Sequence, residues 1–337
     1  HTNRSNNRNC VIIGRVGAYC GSVFREKGIC WVSDNAISAT VKSDVDIDYI
    51  YYFLKNAGLN RRHIGTSQPL LTQEILNSIS IYLPSLPTQK KIAAILSALD
   101  EKIELNNKIN NNLYEQAKAL YRSLFIDYDS CDKSKYYTSE LGQIPIGWEV
   151  KELRSVTQNI RTKVKDGSYK VLSALNTGIL QPSEEYFTKQ VYSKDISNYI
   201  VVSEHDFAYN PARINIGSVG INNLGYTGCV SPVYVVVRAE KGYHNFLDFF
   251  IKSPRFTNEV KSRASGSVRQ SLNYDDFGLI KVIYPPKHIV ESFNHQYNDI
   301  LSLINHFKNE TKILTELRDS LLPKLISGEV DATGFDI

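Results

Sequence analysis

From Pro84 the chain reads Pro-Ser-Leu-Pro-Thr-Gln-Lys-Lys and then continues to Phe125 without another Pro or any Gly. Within this stretch Ile92, Leu96, Leu99, Ile103, Asn106, Asn110, Leu113, Ala117, Leu120 and Leu124 are spaced alternately by four and three residues. That spacing predicts a long helix carrying a heptad seam. Such a stripe is buried only if something equally long packs beside it. At about 1.5 Å per residue the helix would span roughly 50 Å, more than the width of a small domain. A rod of that length must connect things.

A partner of the right length lies in the same chain. Between Lys287 and Ser327, Phe293, Tyr297, Ile300, Ile304, Phe307, Thr311, Leu314, Arg318, Leu321 and Leu325 repeat the four-three spacing, each 201 residues after its counterpart. The same offset carries Leu71 onto Leu272, Ile79 onto Ile280, Ile81 onto Val282 and Pro84 onto Pro285. A shared phase over this length marks a tandem duplication of one unit, a small mixed domain followed by a long helix. Upstream, Gly21-Ser-Val matches Gly217-Ser-Val at an offset of 196, as an indel in a loop would produce. Residue 10 then corresponds to about residue 206, so the first unit lacks the equivalent of roughly Ile144 to His205. The chain also has no Met and hence no initiator, which points to a start outside this sequence.

The expected organisation is a first mixed domain over residues 1–86 without its N-terminal part, a helix over 87–126 and a linker over 127–141. A second mixed domain over 142–286, a second helix over 287–327 and a tail over 328–337 complete it. Strands are expected at Cys10–Gly17, Val32–Val41, Ile79–Pro84, Tyr169–Leu175, Tyr199–Val202, Ser231–Arg238 and Leu279–Tyr284. Short helices are expected at Asp46–Asn56 and Asn245–Ser253.

No run of eighteen apolar residues occurs, and the first nine residues, His-Thr-Asn-Arg-Ser-Asn-Asn-Arg-Asn, have no apolar core of the signal-peptide kind. A cytoplasmic location is expected. The cysteines Cys10, Cys20, Cys30, Cys131 and Cys229 are sparse, odd in number and lack the close pairing of zinc ligands, so reduced and mostly buried thiols are expected. A net charge of +4 permits contact with DNA without arguing for it. The 21 Tyr and 13 Phe sit mostly in apolar runs such as Tyr49–Leu54, which favours core over stacking platforms.

Two heptad helices in one chain most economically pack on each other, and a local two-fold axis relating the duplicated units would make them antiparallel. Asn106, Asn110, Thr311 and Arg318 are polar in the seam and would weaken it by about 1 kcal/mol or more each if unpaired. With Leu113 and Leu314 they are candidates for fixing register or for docking another protein.

Three quoted stretches give a specific resemblance: Pro84-Ser-Leu-Pro-Thr-Gln-Lys-Lys-Ile-Ala, Ala98-Leu-Asp-Glu-Lys-Ile103 and Leu321-Leu-Pro-Lys-Leu-Ile-Ser-Gly-Glu-Val330. With Gly142-Gln-Ile-Pro-Ile-Gly-Trp148 and Asp206-Phe-Ala-Tyr-Asn-Pro-Ala-Arg213, they resemble the specificity subunit of type I restriction-modification enzymes over nearly all of the chain from residue 10. The short first domain departs from that pattern. The resemblance implies an α+β fold, with two similar target recognition domains held apart by two long antiparallel helices in a coiled coil. Each domain would read half of a bipartite double-stranded DNA target. The helices would dock two modification subunits carrying S-adenosylmethionine, and restriction subunits using ATP and Mg2+ would join them.

This chain is expected to bind no cofactor and to catalyse nothing. Asn210-Pro-Ala-Arg213 has only two residues of an adenine methyltransferase loop, Gly14-Arg-Val-Gly17 leads into no helix, and there is no Walker sequence or paired-carboxylate cluster. Base edges and phosphates are read chiefly by Arg, Lys, Asn and Gln. The candidate readers are Asn210, Arg213 and Asn215 in one loop, Arg263, Arg269 and Gln270 in a loop over 263–271, and Arg61, Arg62 and Gln68 as its first-domain counterpart. Lys163 and Lys165 are candidate phosphate contacts. A coiled-coil scaffold whose end domains bind proteins, and a truncated half that pairs with another copy, stay open as alternatives.

Overall fold

The computed structural model describes residues 5–65, 68–175, 178–186, 192–264 and 271–335. The chain is a mixed helix and strand protein dividing into two units, one comprising residues 1–113 and 303–337, the other residues 114–302. The two long helices, Leu86–Phe125 and Lys287–Ser327, contribute to both.

In the first unit, strand Asn7–Gly14 lies between Val23–Cys30 and Ala36–Ala39 in an antiparallel sheet. Helix Ile47–Asn56 follows, its first turn capped by the Asp46 carboxylate accepting from Tyr49 N–H at 2.9 Å. Its apolar spacing buries Tyr49, Ile50, Tyr52 and Leu54. These close a core with Val11, Ile13, Leu71, Ile92 and Leu96, completed by Leu322, Leu325, Ile326 and Ala332 from the other end of the sequence. The C-terminal residues therefore do not form a free tail: Ala332 is buried and Thr333 C=O accepts from Lys91 Nζ at 2.9 Å. Within this unit Asp100 meets Arg318 and Asn106 meets Glu310, so partner numbers fall as numbers rise and the helix segments run antiparallel.

The second unit holds a four-stranded antiparallel sheet in the order Val219–Ile221, Phe207–Tyr209, Val235–Ala239, Thr157–Ile160, with two-stranded ribbons around it. Its core is aromatic. Tyr121 and Phe125 of the first long helix pack on Phe293 of the second, with ring centroids 6.0 and 5.1 Å apart, and on Phe246 and Phe249 of helix His244–Ile251. Trp148 joins them through Phe125 and Tyr128.

The duplication extends to individual backbone bonds. Ile13 pairs with Val23 and Ile37 in the first unit, and Tyr209 with Val219 and Val235 in the second. Gly14 N–H donates to Ser22 C=O at 2.8 Å and Asn210 N–H to Ser218 C=O at 3.1 Å, both displaced by 196. Thr72 caps helix Gln73–Asn77 as Asn273 caps Tyr274–Gly278, displaced by 201.

Several sequence expectations shift. The expected strands at Tyr169–Leu175 and Ser231–Arg238 shorten to Leu172–Ala174 and Val235–Ala239. Residues 127–141 are not a bare linker: Tyr136–Ser139 is a strand paired with Gly142–Pro145, and Tyr128 is buried against Trp148. Ile79–Pro84 is not a strand at all, although its counterpart Lys281–Tyr284 is. Lys281–Tyr284 pairs with Glu149–Glu152, and the first unit has no equivalent of that stretch among its described residues. With its hydrogen-bonding edge unmatched, the apolar run cannot become a strand.

Candidate nucleic-acid interface

One end of the four-stranded sheet gathers five of the eleven candidate readers. Strands Phe207–Tyr209 and Thr157–Ile160 flank Val235–Ala239, both antiparallel to it, so they run the same way and end on the same side. The loop beginning at Asn210 and the run Arg161-Thr-Lys163-Val-Lys165 therefore leave one sheet end, two strand spacings or roughly 10 Å apart.

The Asn210 loop is rigid for local reasons. Asn210 Oδ1 accepts from Ala212 N–H at 3.1 Å, which closes an Asx turn. A turn of 3-10 helix, Ile214–Ile216, follows, and Gly217 reverses the chain with φ +88°, a conformation that favours glycine. Ser218 Oγ donates to Ala174 C=O at 3.0 Å and anchors the far side. Arg213 is exposed and forms no ion pair among the described residues, while Asn215 is half-buried beside helix Pro254–Ala264.

The residues flanking the second candidate loop lie against the first. Helix Pro254–Ala264 packs on Ile214–Ile216, with a small cavity lined by Ile214, Ile216, Phe256 and Val260 between them. Beyond residue 270 the chain returns, and Leu272 N–H donates to Pro211 C=O at 3.1 Å. Arg263 stands in the last turn of that helix rather than in a loop, tied to Glu259 at 3.3 Å and to Leu279 C=O. These contacts take two of its five N–H donors and tie it to the helix end. Arg269 and Gln270 lie outside the described residues.

The first unit repeats the arrangement. Leu71 N–H donates to Arg15 C=O at 2.8 Å, as Leu272 does to Pro211, and pins the 61–70 segment beside the loop after Gly14. Ile64 and Leu70 exchange backbone bonds around a turn holding Gln68, which is exposed. Arg61 and Arg62 are exposed, and Arg62 Nε spends one donor on Ala57 C=O at 3.0 Å. Arg15, outside the sequence-predicted candidates, stands at the position of Pro211. Tyr19, also outside them, stands at the position of Asn215 and is 71% exposed. The 196-residue offset, applied to the loop itself, would have found both.

In the basic run, Lys163 Nζ donates to Asn198 Oδ1 at 2.9 Å and Lys165 has φ +55°. Arg161 is exposed, as is Lys170, which lies over the Tyr226 ring at 5.3 Å. Among the described residues none of these four cations pairs with a carboxylate. Asp206, from the same sequence block as Asn210, belongs instead to the other end of the sheet. Its buried carboxylate accepts two bonds from Arg238, at 2.6 and 2.8 Å.

The candidates on the long helices face inward. Asn106 is fully buried and donates to Glu310 at 2.8 Å, a bond that with Lys102 holds the Glu310 carboxyl below its usual range. Asn106 Oδ1, Asn110 Oδ1 and Thr311 Oγ1 are buried without a hydrogen bond among the described residues. Leu113 is buried and Leu314 half-buried. Arg318 is no weak point, because Asp100 takes its Nη1 at 2.7 Å and Asp319 its Nη2, with Tyr52 OH on the other Asp100 oxygen. The large apolar side chains these helices expose are Leu105, Tyr114, Leu303, Ile313 and Leu317 instead.

Among the described residues no group of three or more His, Cys, Asp or Glu could hold a metal ion, and no helix is long and apolar enough to cross a membrane.

The chain is similar to known proteins in sequence and in fold. Residues 2–115 match the type I restriction modification DNA specificity domain. The chain is similar to proteins named as specificity subunits of type I restriction enzymes. Among these relatives, the HindI specificity subunit of Haemophilus influenzae is 27% identical over 327 residues, covering 78% of this chain and 71% of that protein. The MjaIX specificity subunit of Methanocaldococcus jannaschii is 26% identical over 317 residues, covering 86% and 70%. In fold, the chain resembles the crystal structure of a type I restriction-modification S subunit from M. genitalium. That match has a TM-score of 0.62 at 14% identity, over 96% of this chain and 84% of that one.

Proposed function

We propose that the chain is the sequence-reading subunit of a cytoplasmic type I restriction-modification complex, each unit contacting one half of a bipartite double-stranded DNA target. The observation that supports this is a twice-built backbone bond, Leu71 N–H to Arg15 C=O in one unit and Leu272 N–H to Pro211 C=O in the other, each tying the chain to a loop that carries candidate readers or their counterparts. Asn210, Arg213 and Asn215 would meet base edges, with Arg269 and Gln270 in the adjoining segment and Gln68 in the other unit. Arg61, Arg62, Lys163 and Lys165, joined by Arg161 and Lys170, would meet phosphates. The long helices would set the spacing of the half-sites and dock two modification subunits, with restriction subunits added to that core. S-adenosylmethionine, ATP and Mg2+ would be bound by those partners.

The test is binding of the complex assembled with modification subunits to DNA carrying its methylated motif, across a salt series. Affinity should fall steeply with salt. Arg213→Ala should cost about 1–3 kcal/mol and relax the motif at one position, whereas Lys165→Ala should weaken all sequences alike and reduce the salt slope by about one. Retained subunit assembly without salt-dependent DNA binding would leave a protein scaffold as the function.

A further inference from the structure

All five cysteines are free thiols, and two of them meet. Cys10 Sγ and Cys30 Sγ are in contact at 3.8 Å. The other three are dispersed: Cys20 sits in the core of the first unit, Cys131 and Cys229 in separate clusters of the second. The contact is made at an irregularity in the first unit's sheet. Arg8 pairs with Ile29 and Cys10 with Glu26, so Asn9 alone stands opposite Lys27 and Gly28. The extra residue bends the hairpin there, Asn9 takes φ +45° at the bend, and Cys30 is carried toward Cys10.

The two thiols differ in access. Cys10 is fully buried, whereas Cys30, the last residue of its strand, is half-buried. Burial, and then the adjoining Cys30 thiol, raise the Cys10 pKa above its ordinary value. A dissolved reagent therefore reaches Cys30 first, with Cys10 held behind it as a protonated thiol. The Arg25 guanidinium fixes the backbone around the pair. Its Nε donates to Asp48 in the first turn of helix Ile47–Asn56, its Nη2 to Asn9 Oδ1 at 2.6 Å and its Nη1 to Glu26 C=O at 2.6 Å. At the far end of the hairpin, Gly21 N–H donates to Gly14 C=O at 2.9 Å and closes the tip that carries Arg15 and Tyr19. Val23–Cys30 is an outer strand, held in the sheet among the described residues by its bonds to Asn7–Gly14.

We propose that Cys10 and Cys30 are a site of reversible oxidative modification, closing a disulfide under hydrogen peroxide that staples the open end of this hairpin. The Cys30 thiolate attacks one peroxide oxygen, the O–O bond breaks, and hydroxide leaves and takes up the proton that Cys30 had lost. Cys30 is then a sulfenic acid. The Cys10 sulfur attacks the Cys30 sulfur, the S–O bond breaks, and a second water leaves with the Cys10 proton. Two thiols have given up two electrons, and the peroxide is reduced to two waters. A dithiol reverses the step by exchange. The sulfurs close from 3.8 Å to about 2 Å, and Gly28 within the bulge gives the backbone room to follow. Arg15 and Tyr19 then lie inside a covalent ring from Cys10 to Cys30. Such a ring removes freedom from the unfolded chain, and the outer strand can no longer peel away from its end.

The test uses the 337-residue chain, reduced and then exposed to hydrogen peroxide without DNA, so its outcome is independent of the proposed function. Trypsin cuts after Arg8, Arg15, Arg25, Lys27 and Lys42, which places Cys10, Cys20 and Cys30 in separate peptides. The oxidised protein should yield Asn9–Arg15 linked to Gly28–Lys42, lighter by two hydrogens than the pair of free peptides and released by dithiothreitol. Amide exchange at Val23–Ile29 should slow by about tenfold or more in the oxidised chain. Cys30→Ala, a change at a half-buried position, should abolish both effects. Absence of the linked peptide, or a link from Cys30 to Cys20 or to a second molecule in its place, overturns the proposal. So does exchange at Val23–Ile29 that oxidation leaves unchanged or speeds, or slowing that persists in Cys30→Ala.

Discussion

Replacing Asn106 by Leu should stabilise the first unit. Asn106 is fully buried in the helix seam; its Nδ2 reaches Glu310, but its Oδ1 has no partner among the described residues. Removing a buried acceptor without a hydrogen bond returns about 1–2 kcal/mol, and the added apolar surface about 1 kcal/mol more. Against this stands the lost bond to Glu310, whose carboxylate is a third exposed, keeps Lys102 at 3.3 Å and can turn to water. The net gain should be about 1–2 kcal/mol. Because the chain has two units, one global transition would blur the effect, so the assay is native-state hydrogen exchange of the amides between Lys102 and Asn112. The gain should be confined to them and to the facing turn around Glu310. Faster exchange there would refute the reasoning, since it would mean that the Asn106–Glu310 bond outweighs the unpaired oxygen. The stabilised variant should also tolerate a helix slip more readily, because a single polar pair in a seam fixes register.

Arg238→Ala should cost about 3 kcal/mol in chemical denaturation, because it leaves the buried Asp206 carboxylate unpaired, while Arg238→Met with Asp206→Leu should recover most of the loss. Gly21→Ala should destabilise the first unit by more than about 2 kcal/mol, since φ is +82° and the new Cβ would stand 2.3 Å from Asn60 N; equal stability by calorimetry would contradict that geometry. Burial, and then the neighbouring His205 ring stacked at 4.0 Å, lower the His244 pKa to about 4. The unfolded chain therefore takes up the proton first, and stability present above pH 6.5 is lost as pH falls toward 4. Allowing for partial exposure, the loss should be about 2 kcal/mol and absent in His244→Phe, read from urea midpoints at pH 7 and pH 4.5.

The long helices were legible because a seam without Gly, with Pro only near the helix ends, leaves the backbone few alternatives, and their pairing because the repeat kept its phase. The twice-built site was legible only in part. Asn210 and Arg213 could be named from composition, but the adjacency of their loop to residue 272 depends on one long-range backbone bond that no local pattern encodes. Arg263 was misplaced because the helix runs through it to Ala264, where small polar residues suggested a loop earlier. Ile79–Pro84 failed for a different reason. Its own residues favour a strand, yet strand formation belongs to a pair, and the sequence of one edge is silent about the other.

The first unit takes its core from both ends of the chain, with Val11 and Leu96 packed in the same cluster as Leu325 and Ala332. The second is one uninterrupted stretch from Tyr114 to Ser302. On the ribosome the second unit can therefore finish folding while the first still lacks a wall, its apolar faces waiting for residues 322–332 to emerge. Contacts such as Asp100 with Arg318 close a loop of about two hundred residues, a late and entropically costly step unless the second unit has already drawn the helices together. The order of the two units along the chain is thus reversed in the order of completion, and chaperone dependence should concentrate on the unit that holds residues 5–113.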